Sequence, residues 1–169
     1  MNAIVYTSNT GTTKEYAKLL SDKLSLPYYS LDEIEYKVKP GSKIIYLGWI
    51  MAGRVKGYKK VVKDYDVRAV CAVGMGATGT QVKEVRTKNK IPSSIPIFTL
   101  QGGFDVKKLH GIYKIMMTIM VKTAGKGLAN KQDRTQEEDQ MLEMMLHGGK
   151  YVDEKNLKAI LDWYGKRGE

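Results

Sequence analysis

The sequence predicts an α/β fold, a doubly wound parallel sheet with helices on both faces. Three observations carry that expectation. Short apolar runs alternate with segments of helical spacing. The first run, Ala3-Ile4-Val5-Tyr6, leads through the turn Thr7-Ser8-Asn9-Thr10-Gly11-Thr12-Thr13 into a helical pattern carrying Tyr16, Leu19, Leu20 and Leu24. Glycine-containing stretches come after the third and fourth runs, at the strand ends where doubly wound sheets hold ligands.

Strands are expected at 2–6, 27–31, 43–48, 68–74 and 95–100, and helices at 12–25, 55–65, 79–89 and 153–165. Pro40-Gly41 punctuates the entry to the third strand and Pro92 the approach to the fifth. The last helix takes Asp153 as its cap and places Leu157, Ile160, Leu161 and Tyr164 on one face. Five strands and a terminal covering helix already complete a small α/β domain. The chain is therefore expected to be one domain over residues 1–169, with a helical insertion at about 102–150 before the last helix. Within it, helices are predicted near 106–123 and from Thr135 to His147; Thr135 and Glu138 have capping-box spacing, and Gly148-Gly149 is the stop.

Composition narrows the function classes. A hydrophobic content of 43% is that of an ordinary soluble domain. Met1-Asn2 runs directly into a strand-like segment, without the basic and apolar regions of a secretory signal, and no apolar run has bilayer-crossing length. Cys71, the only cysteine, sits in Val70-Cys71-Ala72-Val73 and reads as a core thiol, so no disulfide framework is possible. These features predict a cytoplasmic protein. His110 and His147 stand alone, without metal-ligand spacing. The net charge of +10 is uneven: residues 1–131 hold 22 Lys/Arg and 9 Asp/Glu, a net +13, whereas 132–169 hold 6 and 9, a net −3. A basic body draws anionic ligands or surfaces. Nucleic acid is not the expected partner, since the basic residues carry no interleaved stacking aromatics and no helix-turn-helix pattern.

The turn at 7–13 carries the chemistry. The first turn of a helix has unpaired N–H groups and partial positive charge, so an anion fits there without a lysine. Five Ser/Thr hydroxyls and the Asn9 amide add donors, and Gly11 admits close backbone approach. Neither a Walker-type Gly-Lys-Ser/Thr nor a three-glycine dinucleotide fingerprint is present. The turn is built for one terminal phosphate monoester; a plain helix cap would need one such residue. The third strand is followed by Gly48-Trp49-Ile50-Met51-Ala52-Gly53-Arg54 and the fourth by Gly74-Met75-Gly76-Ala77-Thr78-Gly79. Both combine glycine with apolar side chains able to pack on something flat. A planar heteroaromatic ligand with one phosphate is implied, and FMN meets that description.

At these residues the chain resembles the flavodoxin family. The family's Ser/Thr-x-Thr-Gly-x-Thr turn matches Ser8-Asn9-Thr10-Gly11-Thr12-Thr13 at every fixed position, and the resemblance covers 1–101 and 153–165. It implies a flavodoxin-like five-stranded sheet in the order 2-1-3-4-5 with non-covalent FMN. Ser8, Asn9, Thr10, Gly11, Thr12 and Thr13 would hold phosphate. Trp49, Ile50, Met51, Ala52 and Gly53 would flank one side of the ring, and Met75, Gly76, Ala77, Thr78 and Gly79 the other. Gly53 would be the glycine whose peptide turns with flavin redox state. Unlike typical acidic members, this chain has Arg54 and Lys56 beside the ring, and cations there are expected to raise the flavin potential.

The insertion carries Gly102-Gly103-Phe104-Asp105, then Leu109, Ile112, Tyr113, Met116, Met117 and Met120 at helical spacing, flanked by Lys107, Lys108, Lys122 and Lys126. In position, length and character it is similar to the corresponding region of flavodoxin-like protoporphyrinogen oxidases, which pass electrons to menaquinone. The resemblance implies an oxidoreductase with a small-molecule or protein redox partner. The alternative is an electron carrier docking with redox proteins. The 105–126 segment reads either as a helical pair packed on the domain edge or as a surface for a quinone, a porphyrin or a membrane interface. No acid–base residue is named.

Overall fold

Parallel strands covered on both faces need apolar side chains on both, and the central strands supply them. The structure, a computed structural model, describes residues 1–104 and 111–166. Its elements are β1 (Ala3–Thr7), α1 (Thr12–Leu24), β2 (Tyr28–Ser30), α2 (Ile34–Lys37), β3 (Lys43–Met51), β4 (Arg54–Val55), α3 (Tyr58–Asp64), β5 (Asp66–Gly74), α4 (Val82–Asn89) and β6 (Ile97–Gln101). Next come β7 (Gly103–Phe104), α5 (Gly111–Met120), α6 (Lys126–Ala129), α7 (Gln136–His147), β8 (Gly149–Lys150) and α8 (Lys158–Gly165). The main sheet runs β2-β1-β3-β5-β6, all parallel, with β4 antiparallel to the end of β3. Apart from β4, this is the expected five-stranded order.

Side-chain alternation along the strands divides the interior into two cores. Ile44 and Tyr46 of β3, with Val70 and Ala72 of β5, meet Ile34, Tyr58, Val61 and Val85 from α2, α3 and α4. Ile45 and Leu47, with Ala69, Cys71 and Val73, meet Tyr16, Ala17 and Leu20 of α1 and Leu157 and Ile160 near the C-terminus. Cys71 is fully buried, and burial pushes its thiol pKa well up.

Several boundaries differ from expectation for local reasons. Trp49, Ile50 and Met51 are not loop but the end of β3, because Ala52 and Gly53 both take positive φ (49° and 76°) and turn the chain into β4. The helix expected from 55 therefore begins at Tyr58. The helix expected from 79 begins at Val82, since residues 78–80 are bound to β6 instead. The last helix opens with a 3₁₀ turn, Glu154–Leu157, which Asp153 caps by accepting from Lys155 N–H at 2.8 Å. The four-residue α2 and the strands β4, β7 and β8 were too short to carry a periodic signal.

The insertion leaves and re-enters through β7 and β8, which pair antiparallel. The expected 106–123 helix is described from Gly111 and passes at Val121–Gly125 through a π-helical turn into α6. Ile112, Tyr113, Met116 and Met117 belong to α5; Asp105, Lys107, Lys108, Leu109 and His110 lie outside the described residues. The α7 capping box forms as spaced: Thr135 Oγ1 accepts from Glu138 N–H at 3.2 Å, and Glu138 accepts from Thr135 N–H at 2.9 Å. Arg134 covers the end of α6 by donating to the carbonyls of Leu128, Ala129 and Lys131. Among the described residues no helix is long and apolar enough to cross a membrane.

The neck of the insertion is tied to the sheet by the buried Tyr16. Its hydroxyl donates to Gln101 O at 2.5 Å and accepts from Asn156 Nδ2 at 2.6 Å, joining α1, β6 and the returning chain. Tyr16→Phe removes both bonds and leaves the half-buried Gln101 carbonyl with only the 3.4 Å bond from Asn156 Nδ2. It should lower unfolding free energy by about 1–3 kcal/mol in denaturant titrations; a smaller loss would mean that Asn156 replaces the missing donor.

The Cys71 thiol should resist aromatic disulfide reagents until the chain unfolds. The raised folded pKa makes its contribution complete below the ordinary thiol range and lost as pH rises beyond it. Stability should therefore begin to fall above roughly pH 8.5. Native-state labelling at the rate of a free thiol would contradict this burial.

Candidate functional site

One cavity lies at the carboxyl ends of β1, β3 and β5, with a volume of about 430 Å³, within the range of small-molecule sites. Its polar end is the turn after β1. Ser8, Asn9, Thr10, Thr12 and Thr13 line it. Gly11 takes the cap position of α1 at φ 103°, and no side chain caps that helix. The 13-residue α1 thus presents the free donors and partial charge of its first turn beside the cavity. Ser8 Oγ accepts from Gly11 N–H at 3.2 Å and holds the turn closed. Thr12 Oγ1 donates to Gly103 O at 3.0 Å, so its hydroxyl proton is committed to the insertion neck.

The apolar wall is the β3–β4 hairpin. Trp49, Ile50, Met51, Ala52 and Gly53 all line the cavity. The buried Asn89 of α4 clamps the turn from behind: its Nδ2 donates to Gly53 O at 2.9 Å, and its Oδ1 accepts from Val55 N–H at 2.9 Å. Lys88 Nζ donates to Ala52 O at 3.1 Å and pairs with Glu84 at 2.6 Å. A Cβ on Gly53 would sit 2.5 Å from Lys88 Cδ and 2.7 Å from Glu84 Oε1, the ends of two flexible side chains that can swing aside, so it is the positive φ rather than space that favours glycine. Lys56 Nζ lies 5.6 Å from the Trp49 ring centroid.

Beneath the floor, Tyr46 joins the two halves. Its fully buried hydroxyl donates to Lys56 O at 2.5 Å and lies 2.7 Å from Thr7 Oγ1, linking the start of the hydroxyl-rich turn to the end of the hairpin. Burial raises its pKa well above the usual phenol range.

The third wall is only partly the expected one. Met75 and Gly76 line the cavity together with Val73 and Gly74. Ala77, Thr78 and Gly79 are not brought to it. Gly79 N–H donates to Thr99 O at 3.1 Å, and Thr78 Oγ1 accepts from Gln101 N–H at 2.9 Å, which lays this stretch along β6. Gly11 lines an adjoining hollow of about 310 Å³ with Lys14, Ser30 and Asp32.

Sequence reasoning did not assign Gln81, Glu84 and Gly103 to the wall, nor the insertion's Met120, Met141 and Met145. The crowding of methionine between 116 and 145 was the available signal. Among the described residues no group of three or more His, Cys, Asp or Glu side chains could hold a metal ion. His147 is exposed, 3.9 Å from Glu143.

The family model described as "Flavodoxin domain" matches residues 3–130. The chain belongs to the flavodoxin family. A solved structure of a provisionally assigned flavoprotein from Bacteroides uniformis ATCC 8492 is similar at 16% identity, covering 69% of this chain and 97% of that one with a TM-score of 0.42. No curated protein matches the sequence. Family membership gives the cavity a ligand class, a flavin, and the residues present fit one: anion donors at one end, flat apolar walls along the rest.

Asn89→Ala should release the β3–β4 hairpin from α4, leaving Gly53 O and Val55 N–H without their partner. The expected loss is about 1–3 kcal/mol in stability. Hydrogen exchange should rise at Val55 in particular; unchanged protection there would mean that the hairpin holds itself.

Proposed function

We propose that the cavity holds FMN and that the chain is an FMN-dependent oxidoreductase acting on a hydrophobic or anionic organic substrate. One observation carries the reading: three segments far apart in sequence, residues 8–10 with 12–13, 49–53 and 73–76, line a single cavity. The phosphate would rest on the first turn of α1, which has no side-chain cap. Ser8, Asn9, Thr10 and Thr13 would donate side-chain bonds and Thr12 its backbone N–H, while Gly11, whose N–H is taken by Ser8 Oγ, would serve by holding the turn closed. Trp49, Ile50, Met51, Ala52 and Gly53 would pack on one side of the ring, with Met75 and Gly76 on the other. Thr78 and Gly79 would act indirectly, by anchoring that side to β6, and Ala77 by accepting from Thr80 within the same turn.

FMN, when bound, supplies hydride or electron transfer. The chain's own residues bind, orient and exclude water. Met120, Met141 and Met145 favour the enzyme reading over the electron carrier, because they place adaptable apolar side chains where an organic substrate would enter. The specific substrate proposed is a porphyrinogen with a quinone as acceptor, in line with the resemblance to flavodoxin-like protoporphyrinogen oxidases. On α5 and the turn after it, exposed Ile115 and Ile119 lie among exposed Lys114 and Lys122, a composition suited to the surface of an anionic membrane that stores quinone.

The purified protein should be yellow and release FMN on denaturation. Ser8→Ala with Thr10→Ala should weaken FMN about tenfold or more while leaving riboflavin, which lacks the phosphate, within about twofold. Equal losses for both ligands, or no uptake at micromolar FMN, would remove the reading. Quinone-coupled oxidation of protoporphyrinogen by the loaded protein then separates the enzyme from the carrier.

A further inference from the structure

Cationic side chains are concentrated on one face of the sheet, next to the cavity. From Arg54 to Lys90 the sequence carries ten Lys/Arg against three Asp/Glu. The elements of this stretch that lie outside the sheet, β4, α3 and α4, are packed together: Val55, Tyr58, Val61 and Val85 share one core, and Asn89 binds the hairpin to α4. Their outward residues Arg54, Lys59, Lys60, Lys63, Lys83 and Lys90 are exposed and make no ion pair among the described residues.

The other face is different. There three of the seven lysines of α1 and residues 149–166 are paired among the described residues, Lys23–Glu154 at 2.8 Å, Lys150–Glu15 at 2.9 Å and Lys158–Asp162 at 2.6 Å, and five acidic residues leave a net +2, against +7 over Arg54–Lys90, where Lys88–Glu84 and Arg68–Asp66 are the pairs. The unneutralised field is therefore directional, and Arg54, opposite Met51 in the hairpin, carries it to the cavity mouth.

We propose that this face docks an acidic protein surface, and that the docked protein exchanges electrons with the cavity's ligand. The redox character of the partner rests on the flavin reading above; the docking itself does not. Charge complementarity selects an acidic protein over the other polyanions. Val62, 40% exposed, is the single large apolar side chain exposed on these three elements, too little to enter a lipid interface. No exposed aromatic on β4, α3 or α4 offers a base a stacking platform; Tyr58 is buried. What remains is an array of exposed ammonium and guanidinium groups beside the cavity, an arrangement that steers and orients a protein of opposite charge.

The test uses a plant-type [2Fe–2S] ferredoxin as the acidic probe and cytochrome c as the basic control, with association measured at low and high salt. The ferredoxin should bind at about 20 mM salt and lose at least tenfold in affinity by about 300 mM, while cytochrome c should not bind. Lys60→Glu with Lys83→Glu should weaken ferredoxin about tenfold. Lys18→Glu with Lys155→Glu, an equal charge change on the opposite face, should change it less than threefold. Circular dichroism and melting temperature check that both pairs fold. Equal losses for the two pairs, ferredoxin binding indifferent to salt, or binding confined to phosphatidylglycerol vesicles or duplex DNA would overturn the proposal. Association needs no cofactor, so a protein that bound ferredoxin but no flavin would overturn the flavin reading and leave the docking face standing.

Discussion

The register of the three central strands is the constraint on which the site depends. Thr7 pairs with Gly48, Gly48 with Ala72, and Trp49 with Val73. Those pairings bring the ends of β1, β3 and β5 level, so that three connections remote in sequence open on one space. A shift of one residue along a strand would exchange its two faces and take each wall of the cavity with it. The register holds because both faces of β3 and β5 are filled, one by α2, α3 and α4, the other by α1 and the C-terminal segment.

Polar contacts then finish what packing begins. The sheet levels the strand ends, but hydrogen bonds shape the connections that leave them. Tyr46 couples the hydroxyl-rich turn to the hairpin from below. Asn89 and Lys88 hold the hairpin's carbonyls from behind. Tyr16 and Asn156 moor the insertion neck to the last strand. Ala52 illustrates the arrangement: a non-glycine residue at φ 49° is tolerated because its carbonyl is engaged by Lys88 and its neighbour's by Asn89. With both carbonyls drawn toward α4, a change of peptide orientation at Ala52–Gly53 has to break a bond to that helix.

The insertion changes what a flavodoxin-family cavity can do. It leaves the sheet immediately after β6, returns through a two-stranded pairing, and brings three methionines to the cavity wall. The apolar cover and the cationic face lie on different elements, so a small organic molecule and a charged protein could be met at separate places. That division would suit the oxidoreductase and the docked partner proposed above.

Most of the fold was legible in the sequence because it rests on local, periodic signals. Unbroken apolar runs marked β1, β3 and β5, helical spacing marked α1, and Thr135 with Glu138 marked the start of α7. The hydroxyl-rich turn was legible as well, since its chemistry is written in adjacent residues. Tertiary structure alone decided the rest. Trp49 to Met51 read as loop because the hairpin that makes them strand depends on two positive φ values, one at an alanine, held by a helix distant in the chain. Thr78 and Gly79 read as ring contacts because nothing local announces their bonds to β6. Met120, Met141 and Met145 could be noticed as a cluster, yet which space they close was set by where the insertion folds back. Proximity between distant segments is an outcome of packing both faces of one sheet, and no short window of sequence contains it.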